Sequence, residues 1–195
     1  MAITGSSCVA CGGARAGERV APVTHKVGQR SVVVKEDRHL YCPDCETVSY
    51  RGALLAENQE AIARQVRLDE GLLTPDELRV IRLKYGLTQA DMEALLQIGP
   101  KTWVRWERGR VVQSQTADQL IRLIARKPDV LRDLMTLRNV SSPVATAALA
   151  DFDQALEERV ERRLHGLLGG VSDATVKIAA RAVSAEFRTD QPSKF

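Results

Sequence analysis

Aromatic side chains are scarce in this 195-residue chain, where Phe, Trp and Tyr together make up 4%. A core built from aromatic-rich sheets is not expected, and aliphatic helix packing should dominate. No apolar run approaches the roughly 18 residues of a membrane span. The opening "MAITGSSCVACGG" has neither the charged start nor the apolar middle of a secretory signal. The expected location is therefore the cytoplasm, with no membrane partner. There is no phosphate-binding glycine loop and no carboxylate pair with a companion histidine. An enzyme is not indicated, and no catalytic residue is assigned.

Cysteine is sparse as well, but its four copies are patterned. Cys8-x-x-Cys11 and Cys42-x-x-Cys45 form two pairs separated by 30 residues. In a reducing compartment such spacing favours metal over disulfides, because each pair can present two thiolates from a tight turn and two pairs complete a tetrahedron. Gly12, Gly13 and Pro43 suit those turns. The expectation is one structural Zn²⁺ per chain on Cys8, Cys11, Cys42 and Cys45, with no open position for catalysis. Two redox pairs or two disulfides are the weaker alternatives. His25 and His39 are read as surface or packing residues, and His165 has no companion at ligand spacing.

Four segments follow along the chain. Residues 1–51 form the zinc-binding domain, with "SVVVK" and "HLYC" read as short strands. Residues 52–70 read as a connecting helix, with Leu54, Leu55, Ile62 and Val66 at helical spacing. Residues 71–138 carry punctuated helix starts. Thr74, Pro75 and Glu77 make a capping box with proline at the first helical position. Gly86 ends that helix, Thr88 caps the next, and Gly99-Pro100 break it. Ser114 caps a further helix with Leu120, Ile121, Leu123 and Ile124 inward, and Pro128 opens another around Val130, Leu131 and Leu134. After a hinge at "NVSSP", residues 139–195 read as a helical extension. Leu149, Phe152, Leu156, Val160, Leu164 and Leu167 line one helix that breaks at Gly169-Gly170. Val176, Ala179, Val183 and Phe187 line a second.

The net charge of +3 says little, but its distribution does: residues 71–138 hold 12 basic and 8 acidic side chains, and the flanking segments are close to balanced. Both tryptophans lie in this segment, inside "GPKTWVRWERGR". Three positions apart on a short helix, Trp103 and Trp106 share a face and are best read as core. Lys101, Thr102 and Arg105 then project from the opposite face, where base edges are reached when such a helix follows a bracing helix and a tight turn. Arg108, near the helix end, suits phosphate, and Arg110 completes the DNA-binding set. Gln89, second in the bracing helix, suits phosphate or bracing. The expected partner is double-stranded operator DNA, bound at an inverted repeat by a homodimer, with apolar seams offered by residues 114–134 or 149–167.

"GLTQADMEALLQIG" followed by "TWVRWERG" resembles an Xre-type helix-turn-helix. Joined to the N-terminal "CVAC" and "CPDC" pairs, it resembles the MqsA-type antitoxin family, also known as YgiT-type zinc-finger and helix-turn-helix regulators, over about residues 8–134. The expected fold is mainly α with a small zinc-bound, β-containing N-terminal module and an Xre-type helix-turn-helix bundle, as the resemblance implies, followed by the C-terminal helical extension that the spacing of its apolar residues predicts. The resemblance implies an antitoxin that represses its own operon and binds a protein toxin through the zinc module. It also matches Cys8, Cys11, Cys42 and Cys45 to metal ligands, and Lys101 and Arg105 to base-reading positions. A stand-alone phage or bacterial repressor, in which zinc only staples a small domain, is the alternative. The family's compact pattern has no counterpart for the residues after Arg138.

Overall fold

The computed structural model describes residues 7–13 and 16–189, with side chains to Glu186. It is mainly helical, with one three-stranded antiparallel sheet near the start. The sheet comprises β1 (Gly17–Val27), β2 (Arg30–Tyr41) and β3 (Val48–Ser49) in the order β1-β2-β3. Among the described residues eight helices follow: α1 (Ala53–Glu70), α2 (Pro75–Lys84), α3 (Gln89–Leu96), α4 (Thr102–Glu107), α5 (Gln115–Arg126), α6 (Pro128–Arg138), α7 (Pro143–Leu167) and α8 (Asp173–Thr189). No helix among the described residues is long and apolar enough to cross a membrane.

The strands are longer than the short ones expected, because Pro22 does not end β1. Ala21 pairs with Asp37 and Val23 with Val34, so Lys35 and Glu36 stand opposite Pro22 alone. This is a β-bulge, a place where a residue without a backbone N–H is tolerated. The extra residue also switches which side of β2 faces inward. Val32 and Val34 are buried before the bulge, and Asp37 and His39 after it.

The chain divides into two compact units. The first holds the described residues up to Leu78 together with Val104–Asp118. In it α1 lies on β2, burying Leu54, Ala63 and Val66, while Leu55 points outward at 47% exposure. The second holds Arg79–Trp103 and the described residues from Gln119. Its core includes Tyr85, Met92, Leu95, Trp103, Ile121, Ile124, Leu131, Leu149 and Val176. Tyr85 donates its hydroxyl hydrogen to the Ile124 carbonyl at 2.8 Å, so its buried polar atom is satisfied.

Helix ends follow their capping residues. Thr74 and Glu77 exchange hydrogen bonds at the start of α2, and Thr88 forms a capping box with Asp91 at α3. Ser114 and Ser142 cap α5 and α7. Three expectations are corrected. Leu123 is 46% exposed, because the inward face of α5 runs through Asp118, Ile121 and Ile124. Leu167 is 73% exposed at the last turn of α7. On α8 the buried positions are Val176, Ala180 and Ser184, with Ala179 and Val183 half-buried beside them. Phe187 lies outside the residues whose side chains are described.

Candidate metal centre and recognition helix

Each cysteine pair sits in a tight turn built by its backbone. Cys8 donates its N–H to the Gly13 carbonyl at 2.8 Å and accepts from Gly12 at 3.0 Å, while Cys42 donates to the Thr47 carbonyl at 3.1 Å. Four residues past each leading cysteine the chain turns left-handed, at Gly12 with φ 73° and at Glu46 with φ 56°. Gly13 has a steric reason: a Cβ there would fall 2.7 Å from Asp44 Oδ2 and 3.3 Å from Cys11 Sγ. The Asp44 carboxylate of the second turn thus lies against Gly13 of the first, and a side chain there would require that carboxylate to swing aside.

The result is one cluster of four sulfurs, all within 4.8 Å of one another. Cys8 Sγ lies 3.6 Å from Cys45 Sγ, and Cys11 Sγ 3.7 Å from Cys42 Sγ. The Thr47 hydroxyl and then the Thr47 backbone N–H push the Cys45 thiol down to about 6. Burial pushes Cys42 up. At Cys11 the Gly13 N–H favours the thiolate, but the neighbouring sulfurs and burial outweigh it and raise the thiol to about 11. Sulfurs this close cannot all ionise beside one another without a cation, and a metal ion would supply that charge. The arrangement can hold one metal ion.

Next to the cysteine turns is a polar group that the sequence reading missed. Asp37, re-aimed by the bulge, accepts hydrogen bonds on both carboxylate oxygens. Oδ1 takes the Tyr50 hydroxyl at 2.8 Å and His39 Nδ1 at 3.0 Å. Oδ2 takes Asn58 Nδ2 at 2.6 Å and His25 Nε2 at 2.8 Å. Burial alone would raise this carboxyl, but the bonds from His25, Tyr50 and His39 outweigh it and hold it below the usual carboxylate range. Burial, with help from the Asp37 hydrogen bond, pushes the Tyr50 hydroxyl up and keeps it a donor. One carboxylate thus joins His25 of β1, His39 of β2 itself and Asn58 of α1. Asp37→Asn keeps the volume but turns an amide donor toward groups that themselves donate. It should cost about 1–3 kcal/mol, and more where the lost acceptor was charged. Urea denaturation at neutral pH followed by the tyrosine signal will measure it.

The proposed reading residues fall as follows. Gln89 is half-buried in the first turn of α3. Gln97 closes α3 with φ 51°, earlier than the Gly99-Pro100 break expected. Thr102 N–H then bonds the Gly99 carbonyl at 3.1 Å, with Pro100 and Lys101 between them. Lys101 takes φ 62°, so the turn is type II and Lys101 precedes α4 rather than lying in it. Glu93 of α3 accepts from the Trp103 N–H at 3.0 Å and satisfies one of the open amides of α4. Trp103 is fully buried and Trp106 is 4% exposed, whereas Lys101, Arg105, Arg108 and Arg110 are exposed and Thr102 is half-exposed. Beyond α4, Gly109 with φ 75° donates to the Trp106 carbonyl and Arg110 to the Arg105 carbonyl, a Schellman closure.

The model of a protein family described as the antitoxin component of a bacterial toxin–antitoxin system, MqsA, matches residues 6–135. Antitoxin HigA-2 of Vibrio cholerae serotype O1 is 28% identical over 99 residues, covering 43% of this chain and 95% of that antitoxin.

Proposed function

Because the chain belongs to the MqsA family of antitoxin components of bacterial toxin–antitoxin systems, we propose that it is a DNA-binding antitoxin that represses its own operon and neutralises a protein toxin. Its work is binding rather than catalysis. The observation that carries the DNA-binding part is the split of α4: both indoles are buried while Arg105, Arg108 and the preceding Lys101 are exposed. A short helix with this division, entered through a tight turn from α3, suits the major groove. Lys101, Thr102 and Arg105 are the base-reading candidates, and Arg108 and Arg110 the phosphate contacts, with Gln89 bracing or touching phosphate.

One short helix reads only a few base pairs, so a homodimer on an inverted repeat is the working assembly. The metal ion is Zn²⁺, one per chain. Zn–S bonds of about 2.3 Å give tetrahedral edges of about 3.8 Å, against sulfur separations of 3.6 and 3.7 Å. Cys8, Cys11, Cys42 and Cys45 would hold it, and its contribution is structural, since four thiolates leave no place for a reacting water.

The test contrasts two arginines on DNA taken from upstream of the chain's own coding sequence. Arg105→Ala should weaken binding and flatten preference at one base pair per half-site, since a bidentate arginine–guanine pair contributes about 1–3 kcal/mol of discrimination. Arg108→Ala should weaken specific and nonspecific DNA alike and reduce the salt slope by about one unit. Full sequence preference in Arg105→Ala would overturn this orientation of α4. Co-expression with the neighbouring reading frames, then copurification, tests the toxin arm. A chain that binds its promoter but no neighbour's product is a stand-alone repressor.

A further inference from the structure

Arg67, near the end of α1, is 5% exposed, yet no carboxylate forms an ion pair with it among the described residues. Burying a guanidinium is costly unless its donors are used. Two of them are: Nη1 donates to the Gly109 carbonyl at 3.3 Å and Nη2 to the Val111 carbonyl at 2.6 Å, while Nε has no protein partner. Both carbonyls belong to the segment that closes α4. Gly109 is the left-handed residue of that closure, and Arg110, between the two acceptors, returns its N–H to Arg105.

A second tie lies beside the first. Gln113 Nε2 donates to the Leu73 carbonyl at 2.7 Å and to Asp118 Oδ1 at 3.1 Å, and Asp118 Oδ1 also accepts the Leu73 N–H at 2.7 Å. The α1–α2 connection and the segment after α4 are therefore fastened together through buried polar groups. At the other end of α1, Asn58 is bound to Asp37 of β2. From Asn58 to Arg67 runs continuous helix, a span of about 14 Å at 1.5 Å per residue. Helix α1 is thus a stiff strut, fixed to the sheet at one end and to the close of α4 at the other.

We infer that Arg67 is a positioning residue for DNA recognition: by clamping the Gly109 and Val111 carbonyls from α1, it sets the direction in which the C-terminal half of α4 presents Arg105 and Arg108. This rests on the reading of α4 as the recognition helix. Arg67 itself is buried and touches no phosphate, so its effect on DNA must run through the backbone it holds. A lysine has three donors but places them on one compact ammonium nitrogen in place of a planar fork, and it cannot span the Gly109 and Val111 carbonyls with the same geometry, so it should restore the function only in part.

The experiment uses the full-length, metal-loaded chain with Arg67→Met and Arg67→Lys. In the free protein, amide hydrogen exchange should accelerate at Gly109 and Arg110 in Arg67→Met, with Leu78 and Val66 amides unchanged, and Arg67→Lys should fall between. On the upstream duplex, Arg67→Met should weaken binding about tenfold, the scale of one charge-assisted hydrogen bond, with the salt slope unaltered. In an Arg67→Met background, Arg105→Ala should cost less than in the parent, because the two act on one event. If Arg67→Met does not fold, Arg67→Lys carries the same comparisons. Unchanged exchange at Gly109 and Arg110, acceleration spread over the whole chain, or strict additivity with Arg105→Ala would each overturn the inference. If Arg105→Ala leaves DNA binding intact, the reading of α4 fails instead, and the exchange data still decide whether Arg67 holds the helix end.

Discussion

Stripping the metal with a chelator at neutral pH is expected to unfold the cysteine turns and the sheet they close. The core next to the site is small: Cys8, Ala16 and Cys42 form a buried cluster of their own, so two of its three members are proposed ligands. Structural zinc contributes roughly 10–16 kcal/mol in zinc-finger peptides, as much as the whole stability of a typical domain. Without the ion, four sulfurs within 4.8 Å of one another bring repulsion and protonation in place of attraction. Cys42→Ser should act similarly, since Cys42 is 1% exposed and a hydroxyl cannot replace a thiolate there. Elemental analysis with circular dichroism or amide spectra before and after chelation will check it. The α7–α8 hairpin, in the other compact unit and without cysteine, should keep its helical signal.

Replacing Trp103 by alanine should lower stability by roughly 3–5 kcal/mol, the cost of emptying a buried aromatic site. Trp103 is fully buried, and its backbone N–H is held by Glu93. The neighbouring Arg105→Ala, at an exposed position, should leave the melting temperature within about 0.5 kcal/mol equivalent of the parent. Thermal or urea unfolding of the two variants measures the contrast. Unchanged stability in Trp103→Ala, coupled with lost DNA binding, would mean that the indole faces the groove.

Helix ends were legible in the sequence because capping is local chemistry. Thr74 with Glu77, Thr88, Ser114 and Pro128 each mark a helix start within their own few residues. The cysteine cluster was legible for a similar reason: spacing within each pair determines a turn, and two such turns suit one ion. What could not be read depended on register. Nothing local announces that Pro22 faces a bulge, so the switch that turns Asp37 and His39 inward leaves no mark in the sequence, and each histidine looks isolated there. The only available signal was three polar residues, Asp37, His39 and Tyr50, flanking the second cysteine pair. Arg67 was hidden differently. Its partners are backbone carbonyls more than forty residues away, and backbone acceptors leave no trace in residue identity. Periodicity placed Leu123 inward because a helical stripe tolerates neighbours that the actual packing leaves outside.

If α4 presents its basic face to DNA while its indoles remain in the core, the two faces of the helix must respond differently to the duplex. A titration of the isotopically labelled, zinc-loaded protein with the duplex from upstream of its own gene, followed by amide, arginine side-chain and indole resonances, tests it most directly. Large shifts are expected at Lys101, Thr102, Arg105, Arg108 and Arg110, saturating together, with the indole signals of Trp103 and Trp106 nearly unmoved. Shifts confined to the cysteine module or to α7 and α8, with residues 101–110 silent at saturating DNA, would contradict it.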